Sequence, residues 1–385
     1  LSEPRRSRRG RLKRRIDRRL YRIFFALGRA VARPSRTRPD PAALRRVLIV
    51  RHDRLGDWVV TSPVVALLTE IAPNAEIDVL ASPANAALAR ADERVSQVIV
   101  NDHRWAGWLR ALRRLRGRRY DLIISPIYYR HLREGFVALL AARRHTFTLS
   151  VYRPRRYQGM FSATVRIPRA RTHMTERLLY TVQHGLLGDV REAGESAARW
   201  PMRLFVDASA DAHASSFLSR ADVGEFVAVN LSAAEPHREW LPSSAIATLR
   251  EILVEHPDMA FVLTPPPGKE GAADEVVRRL ADRRVVKAPA TSQLLDLVAL
   301  LRRARLTITP DTANVHLAAA VGVPVLVLTS AASTDPALWS PYGVPHRSVS
   351  AGRHPVSEIP ASAVAEAFRS LWTELVVSDA RERRC

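Results

Sequence analysis

Twice along this chain, short apolar runs alternate with stretches of helical spacing, and that double series leaves few folds open. In the first series the runs predict strands over 47–51, 76–80, 95–100, 121–125 and 146–149, with helices over 59–71, 84–91, 105–116, 132–142 and 174–187. The series then restarts. Strands are expected around 203–206, 226–230, 259–264, 284–287, 305–309 and 324–328, with helices near 208–220, 243–256, 270–281, 291–303 and 312–321. Strands this apolar, each followed by a helix, build parallel sheets covered on both faces. The expected fold is α/β, with two Rossmann-like domains facing across a cleft and a boundary around 190–201. This divides the chain into an extension (1–45), an N-terminal domain (46–195), a C-terminal domain (196–375) and a tail (376–385).

Charge singles out the extension. The formal charge of the 385 residues is +22, and residues 1–46 hold 17 Lys and Arg against 3 Asp and Glu. Within them Leu12, Ile16, Leu20, Ile23, Phe24, Leu27 and Val31 recur at helical steps, with arginines on the opposite face. This basic amphipathic helix over 12–31 suits an in-plane anchor on an anionic membrane; docking on the protein itself or on a partner is the alternative. Nucleic acid is not expected, because the aromatics lie on the apolar face instead of forming a stacking platform. No run reaches the roughly 18–20 apolar residues that span a bilayer. The single cysteine, Cys385, excludes a disulfide framework and a cysteine-based zinc site, which suits a reducing compartment.

Four loops at predicted strand ends carry residues suited to chemistry. After Val47-Leu-Ile-Val50 comes Arg51-His-Asp-Arg-Leu-Gly-Asp57, which sets two carboxylates, Asp53 and Asp57, beside Gly56 where open α/β sheets bind ligands. In the second half, Asp311 and Thr312 are good N-caps for a helix starting near Ala313. The N–H groups and dipole of that helix end suit a diphosphate. An Asp311 that only caps and a His316 that only packs account for the stretch equally well. Asn230-Leu-Ser232 leads to Arg238, whose guanidinium matches phosphate oxygens, and to Trp240. Thr264-Pro-Pro-Pro-Gly-Lys-Glu270 places Glu270 at a helix start, able to accept ribose hydroxyls or simply to favour the dipole.

Together these segments resemble glycosyltransferase family 9, the heptosyltransferases of lipopolysaccharide core synthesis, over roughly residues 46–375. The motifs are R-x-D-x-L-G-D-x-V-x-T-x-P at 51–63, D-T-A-N-V-H-L-A-A-A-x-G-x-P at 311–324 and T-D-P-x-x-W-x-P-Y-G at 334–343. The resemblance implies a GT-B fold and an inverting, metal-independent transfer with no cofactor. Its donor would be a nucleotide-sugar, most simply ADP-heptose, and its acceptor a glycolipid on the cytoplasmic face of the membrane. It places the catalytic base on Asp57 and support of the acceptor or loop on Arg51, Asp53, Gly56 and Thr61. Donor binding falls on Ser232, Arg238, Glu270, Asp311, Thr312, Ala313, Asn314 and His316. The chain departs from the family in Ala313, where Gly is common, in Arg238, where Lys is common, and in Ser330 to Ser333, which replace a tighter turn. A nucleotide-sugar 2-epimerase, or a non-catalytic membrane-associated binding protein of the same fold, is the competing expectation.

Overall fold

The computed structural model describes residues 35–102, 104–126, 132–151, 161–170, 173–188, 199–291, 293–330 and 335–382. Its first sheet holds β1 (Arg46–Arg51), β2 (Glu76–Ala81), β3 (Gln97–Val100), β4 (Leu122–Ser125), β5 (Phe147–Val151) and β6 (Ala163–Val165). The strands are parallel, in the order β3-β2-β1-β4-β5-β6. The second sheet holds β7 (Phe226–Val229), β8 (Ala260–Leu263), β9 (Val285–Lys287), β10 (Leu306–Pro310), β11 (Val325–Thr329) and β12 (His346–Ser350). It runs β12-β11-β10-β7-β8-β9, again parallel. Taken from the opposite edge this is the same doubly wound order. The strand order therefore reverses between β1 and β4 and between β7 and β10, where such sheets open a crevice beyond their carboxyl ends.

The helices of the first half are α1 (Leu55–Val59), α2 (Ser62–Ile71), α3 (Ala86–Ala91), α4 (Trp105–Arg118), α5 (Leu132–Ala141) and α6 (Met174–Leu186). Those of the second are α7 (Ala208–Arg220), α8 (Pro242–Glu255), α9 (Glu270–Leu280), α10 (Leu294–Leu301), α11 (Ala313–Ala320), α12 (Pro336–Trp339) and α13 (Ala361–Glu382).

Strand parity explains the layers. Side chains alternate across a strand, so Val47 and Ile49 of β1 face one core while Leu48 and Val50 face another beneath α4 and α5. Likewise Phe226 and Ala228 of β7 face inward and Val227 and Val229 outward, under α8 and α13. The inner faces of both sheets belong to one continuous apolar cluster that also holds Val315 and Leu317 of α11. Shared burial of this kind fixes one half against the other.

The differences from the sequence reading have local causes. The expected helix over 59–71 breaks into α1 and α2, because Thr61 N–H bonds Trp58 O and Pro63 suits a fresh helix start. Residues 203–206 form no strand. Met202 and Leu204 bury into the inner core, and Arg203 N–H donates to Ser62 Oγ (3.1 Å) instead of to a sheet edge. The polar edge strand β12 and the short β6 carry too few apolar residues to signal themselves. Helix α13 continues to Glu382, so residues 376–382 extend it instead of forming a tail. The expected helix over 12–31, the proposed boundary at 195/196, and Ala331 to Ser333 fall outside the described residues.

Candidate active site

Arg51 ends β1 with its side chain 2 % exposed, and the loop beyond it is built around that guanidinium. Nη2 donates to Asp57 Oδ1 (2.9 Å), Nε to the Asp57 main-chain oxygen (2.9 Å), and Nη1 pairs with Asp53 Oδ2 (3.3 Å). Asp57 lies in the first turn of α1, where its Oδ2 accepts the Arg54 N–H (3.2 Å). This arrangement satisfies one of the free donors at a helix start. Thr61 Oγ1 donates to the Asp57 carbonyl (2.7 Å). Asn85 anchors the loop from the turn after β2, its amide donating to Arg51 O (2.8 Å). Burial is the largest influence on Asp53 and pushes its carboxyl up to about 7, opposed by Arg51 and reinforced by the charge of Asp57.

The other half of the site forms at the ends of β7 and β10. Thr312 is the N-cap of α11, its side chain accepting from Asn314 N–H (3.3 Å). Asn230 ties the two strand ends together through its amide, which donates to Ser232 O (3.0 Å) and Thr309 Oγ1 (3.0 Å). A cavity of about 840 Å³ opens here, within the range of small-molecule sites. Ser232, Thr312, Ala313 and Asn314 lie on its wall, as do Asn230 and Lys269. Lys269 Nζ donates to Ala233 O (2.8 Å) and pairs with Glu239. Leu55 contributes to the wall from the opposite half.

The two signature loops meet. α1 packs on α11, and a Cβ added at Gly56 would lie 3.0 Å from His316 Cδ2 and 3.9 Å from Ala313 Cα. A side chain here would fit only if the imidazole gave way by a few tenths of an ångström. His316 is buried, edge-on to Trp339 with ring centroids 5.6 Å apart. Burial pushes it down to about 4 against the opposing influence of Asp311 and Asp57, so the ring is neutral.

Four of the eight donor residues named from the sequence thus reach the cavity wall. The others stand behind or beside it. Arg238 Nη2 donates to Asp311 O (2.6 Å), which braces the turn before α11. Glu270 is half-buried, and hydrogen bonds from its own backbone N–H and then from Gly268 N–H to its Oε1 (3.0 Å) hold its carboxyl below the usual range. His316 and Asp311 sit at the joint between the halves. Two wall residues lay inside quoted segments without being singled out. Asn230 was detectable as the first polar residue after a buried strand, and Lys269 as the cation beside Glu270. Among the described residues no group of three or more His, Cys, Asp or Glu is placed to hold a metal ion.

Two Rossmann-like halves joined at their carboxyl edges, with a capped helix end beside a nucleotide-sized cavity, define the GT-B class. The sequence model of glycosyltransferase family 9 (heptosyltransferase) matches residues 108–363, and the chain belongs to that family. The match starts after the loop at 51–63. Among solved structures, a family 9 glycosyl transferase from Veillonella parvula is 18% identical, with a TM-score of 0.73 over 88% of this chain and 99% of that one. The E. coli ADP-heptose LPS heptosyltransferase II is 18% identical (TM-score 0.67, 87% and 99% covered). E. coli heptosyltransferase WaaC, solved with ADP, is 20% identical (TM-score 0.67, 85% and 99% covered). No curated protein matches the chain.

Proposed function

We propose that this glycosyltransferase moves heptose from ADP-heptose onto a hydroxyl of a lipopolysaccharide-core glycolipid, with inversion and without a metal. The observation that carries this reading is the contact of the Gly56–Asp57 turn with the N-terminal turn of α11 beside the cavity. It sets a carboxylate from one half next to a diphosphate-suited helix end from the other. In the reaction the acceptor oxygen bonds to the anomeric carbon as the bond from that carbon to the diphosphate oxygen breaks. Asp57 takes the hydroxyl proton, and ADP leaves with the electron pair. General-base help of this kind supplies about 10²–10⁴-fold. The charge growing on the leaving diphosphate meets N–H groups of the first turn of α11 and the Lys269 ammonium, fixed dipoles and cations that need no reorganisation. Arg238 acts through Asp311, holding that turn in place.

The donor class is supported by E. coli heptosyltransferase WaaC, solved with ADP and with ADP-2-deoxy-2-fluoro heptose. Membrane association on the cytoplasmic leaflet rests on charge. Besides residues 12–31, Arg110, Arg113 and Arg114 project from α4 as exposed side chains. The chain joins the fold where Ser35 N–H meets Thr146 O (2.9 Å), next to exposed Arg143 and Arg144. Among the described residues no helix is long and apolar enough to cross a membrane.

The test compares ADP-heptose with UDP- and GDP-sugars by thermal shift, then follows transfer to a lipid A–inner core acceptor. Stabilisation by ADP-heptose and an inverted product are expected. Asp57→Asn is expected to keep that stabilisation and lose at least a hundredfold in turnover. Full turnover in this variant would reject the base assignment.

A further inference from the structure

Arg51 has more anions than it can neutralise. One buried guanidinium faces two carboxylates, Asp57 at 2.9 Å and Asp53 at 3.3 Å. The two acids are otherwise treated differently. Asp57 has both oxygens engaged, Oδ1 by Arg51 and Oδ2 by the Arg54 N–H. Asp53 Oδ1 is buried and has no hydrogen-bond partner among the described residues. Buried polar atoms are nearly always partnered, so an orphaned carboxylate oxygen marks a place that can take up a proton.

We propose that Asp53 is a positioning residue that sets the proton affinity of Asp57 through the Arg51 guanidinium they share. This rests on Asp57 being the base. With Asp53 ionised, the field of Arg51 is divided and a second negative charge lies nearby, so Asp57 holds a proton more readily. With a proton on Asp53 Oδ1, Arg51 serves Asp57 alone and Asp57 becomes a weaker base. Like charges raise and opposite charges lower a carboxylate's proton affinity, so the coupling has a definite sign.

Several groups surround the pair among the described residues, and buried His52 stands between Arg51 and Asp53 in the loop. From the loop itself Arg51, Arg54 and Asp57 act on Asp53. From the turn between β2 and α3, Ser82 Oγ donates to Asp53 O (2.8 Å) and Asn85 to Arg51 O, and neither titrates. From α11, His316 faces Asp57 as a neutral ring, with Asp311 behind it. Since burial lifts Asp53 to about 7, its change of state falls at the pH where the enzyme would work.

The deciding measurement needs no substrate. In full-length protein carrying aspartate labelled with ¹³C at the side-chain carboxyl, resonances are assigned with Asp53→Asn and Asp57→Asn and followed from pH 4 to 9. Asp57 in the wild type is expected to show a step at the neutral midpoint of Asp53. In Asp53→Asn that step disappears and the Asp57 midpoint moves to lower pH; Asp53→Glu restores the step. An Asp57 titration identical in wild type and Asp53→Asn would overturn the proposal, with melting curves and ADP binding reporting that the variant is folded. The kinetic counterpart is a transfer rate in Asp53→Asn that falls about tenfold at pH 8, loses its neutral acid limb and keeps its donor KM. A uniform loss at every pH would mark Asp53 as merely structural. Asp57→Asn at full turnover removes the base assignment but leaves the carboxyl titration to decide the coupling.

Discussion

Gly56 brings the two halves into close approach, and its lack of a side chain sets the spacing there. A methyl group there would meet His316 Cδ2 at 3.0 Å, and the imidazole is enclosed by Trp339 and the inner core with little room to yield. Gly56→Ala is therefore expected to shift α1 off α11 and raise the donor KM severalfold with a fall in kcat, because misplacing reacting groups by about 1 Å can cost about a hundredfold. An unchanged KM and kcat would show that the contact is slack. Ala313 offers the opposite experiment. Its methyl group stands on the cavity wall at the first turn of α11, where closer backbone approach would favour phosphate oxygens. Ala313→Gly is expected to tighten ADP binding severalfold in titration calorimetry, at a helix cost of up to about 1 kcal/mol read in the melting temperature. The places of Thr312, Ala313 and Asn314 on the cavity wall, and of Asp57 in the loop after β1, could be read from the sequence because each lies in a motif at a strand end. The bracing of Asp311 by Arg238 and the shared guanidinium of Arg51 were not, because spacing along a chain does not say which anion a cation will choose.

At the scale of elements, the start of α6 is fastened to the segment after α12 by His173. Its Nε2–H donates to Ser340 O (3.0 Å), its Nδ1 accepts Thr175 N–H (3.2 Å), and its ring stacks on Tyr342 at 4.4 Å. Burial pushes His173 down to about 4, helped by His316, which burial also pushes to about 4. Both rings bind fewer protons in the folded chain than their ordinary value of 6.5 would give. The unfolded chain gains protons first as pH falls, so stability is lost between about 6.5 and 4. Melting temperature is expected to drop across that window, and His173→Gln to flatten the drop while lowering stability at pH 7.5. A melting temperature level from pH 7 to 4.5 would remove this account. The junction was half legible. The segment 334–343 could be recognised by its motif, but its partner His173 lies 167 residues before Ser340 in sequence and meets it only in space. The unformed strand at 203–206 fails for a related reason: apolar alternation reports burial, and here burial is supplied by the inner core without a neighbouring strand.

For the whole molecule, the repeated doubly wound order was legible because buried parallel strands leave unbroken apolar runs, whereas the asymmetric charge is an argument about partners and not about fold. Helix α4 (Trp105–Arg118) holds five arginines and no Asp or Glu. Arg116 and Arg118 are taken up by Leu140 O and by Asp78 with Glu76. Arg113 and Arg114 have no acidic partner among the described residues, and Arg110 has only Asp102 at 3.8 Å. Arg143 Nη2 donates to Arg116 O (2.9 Å), which links the end of α4 to the place where the basic extension joins the fold. An anionic surface is the expected partner of these exposed arginines. Each basic residue near such a surface contributes about 1 kcal/mol, so replacing Arg110, Arg113 and Arg114 by Gln is expected to weaken binding to phosphatidylglycerol vesicles by roughly a hundredfold. Removing residues 1–34 is expected to weaken it further, and neutral phosphatidylcholine vesicles to bind neither form. Both losses should shrink in 0.5 M salt, where screening reaches only a few ångströms. ADP-heptose stabilisation should be untouched in both variants, since the cavity lies at the carboxyl edges of the sheets, away from these arginines. Flotation that survives both changes would mean that the extension docks on the protein itself and that these arginines serve solubility alone.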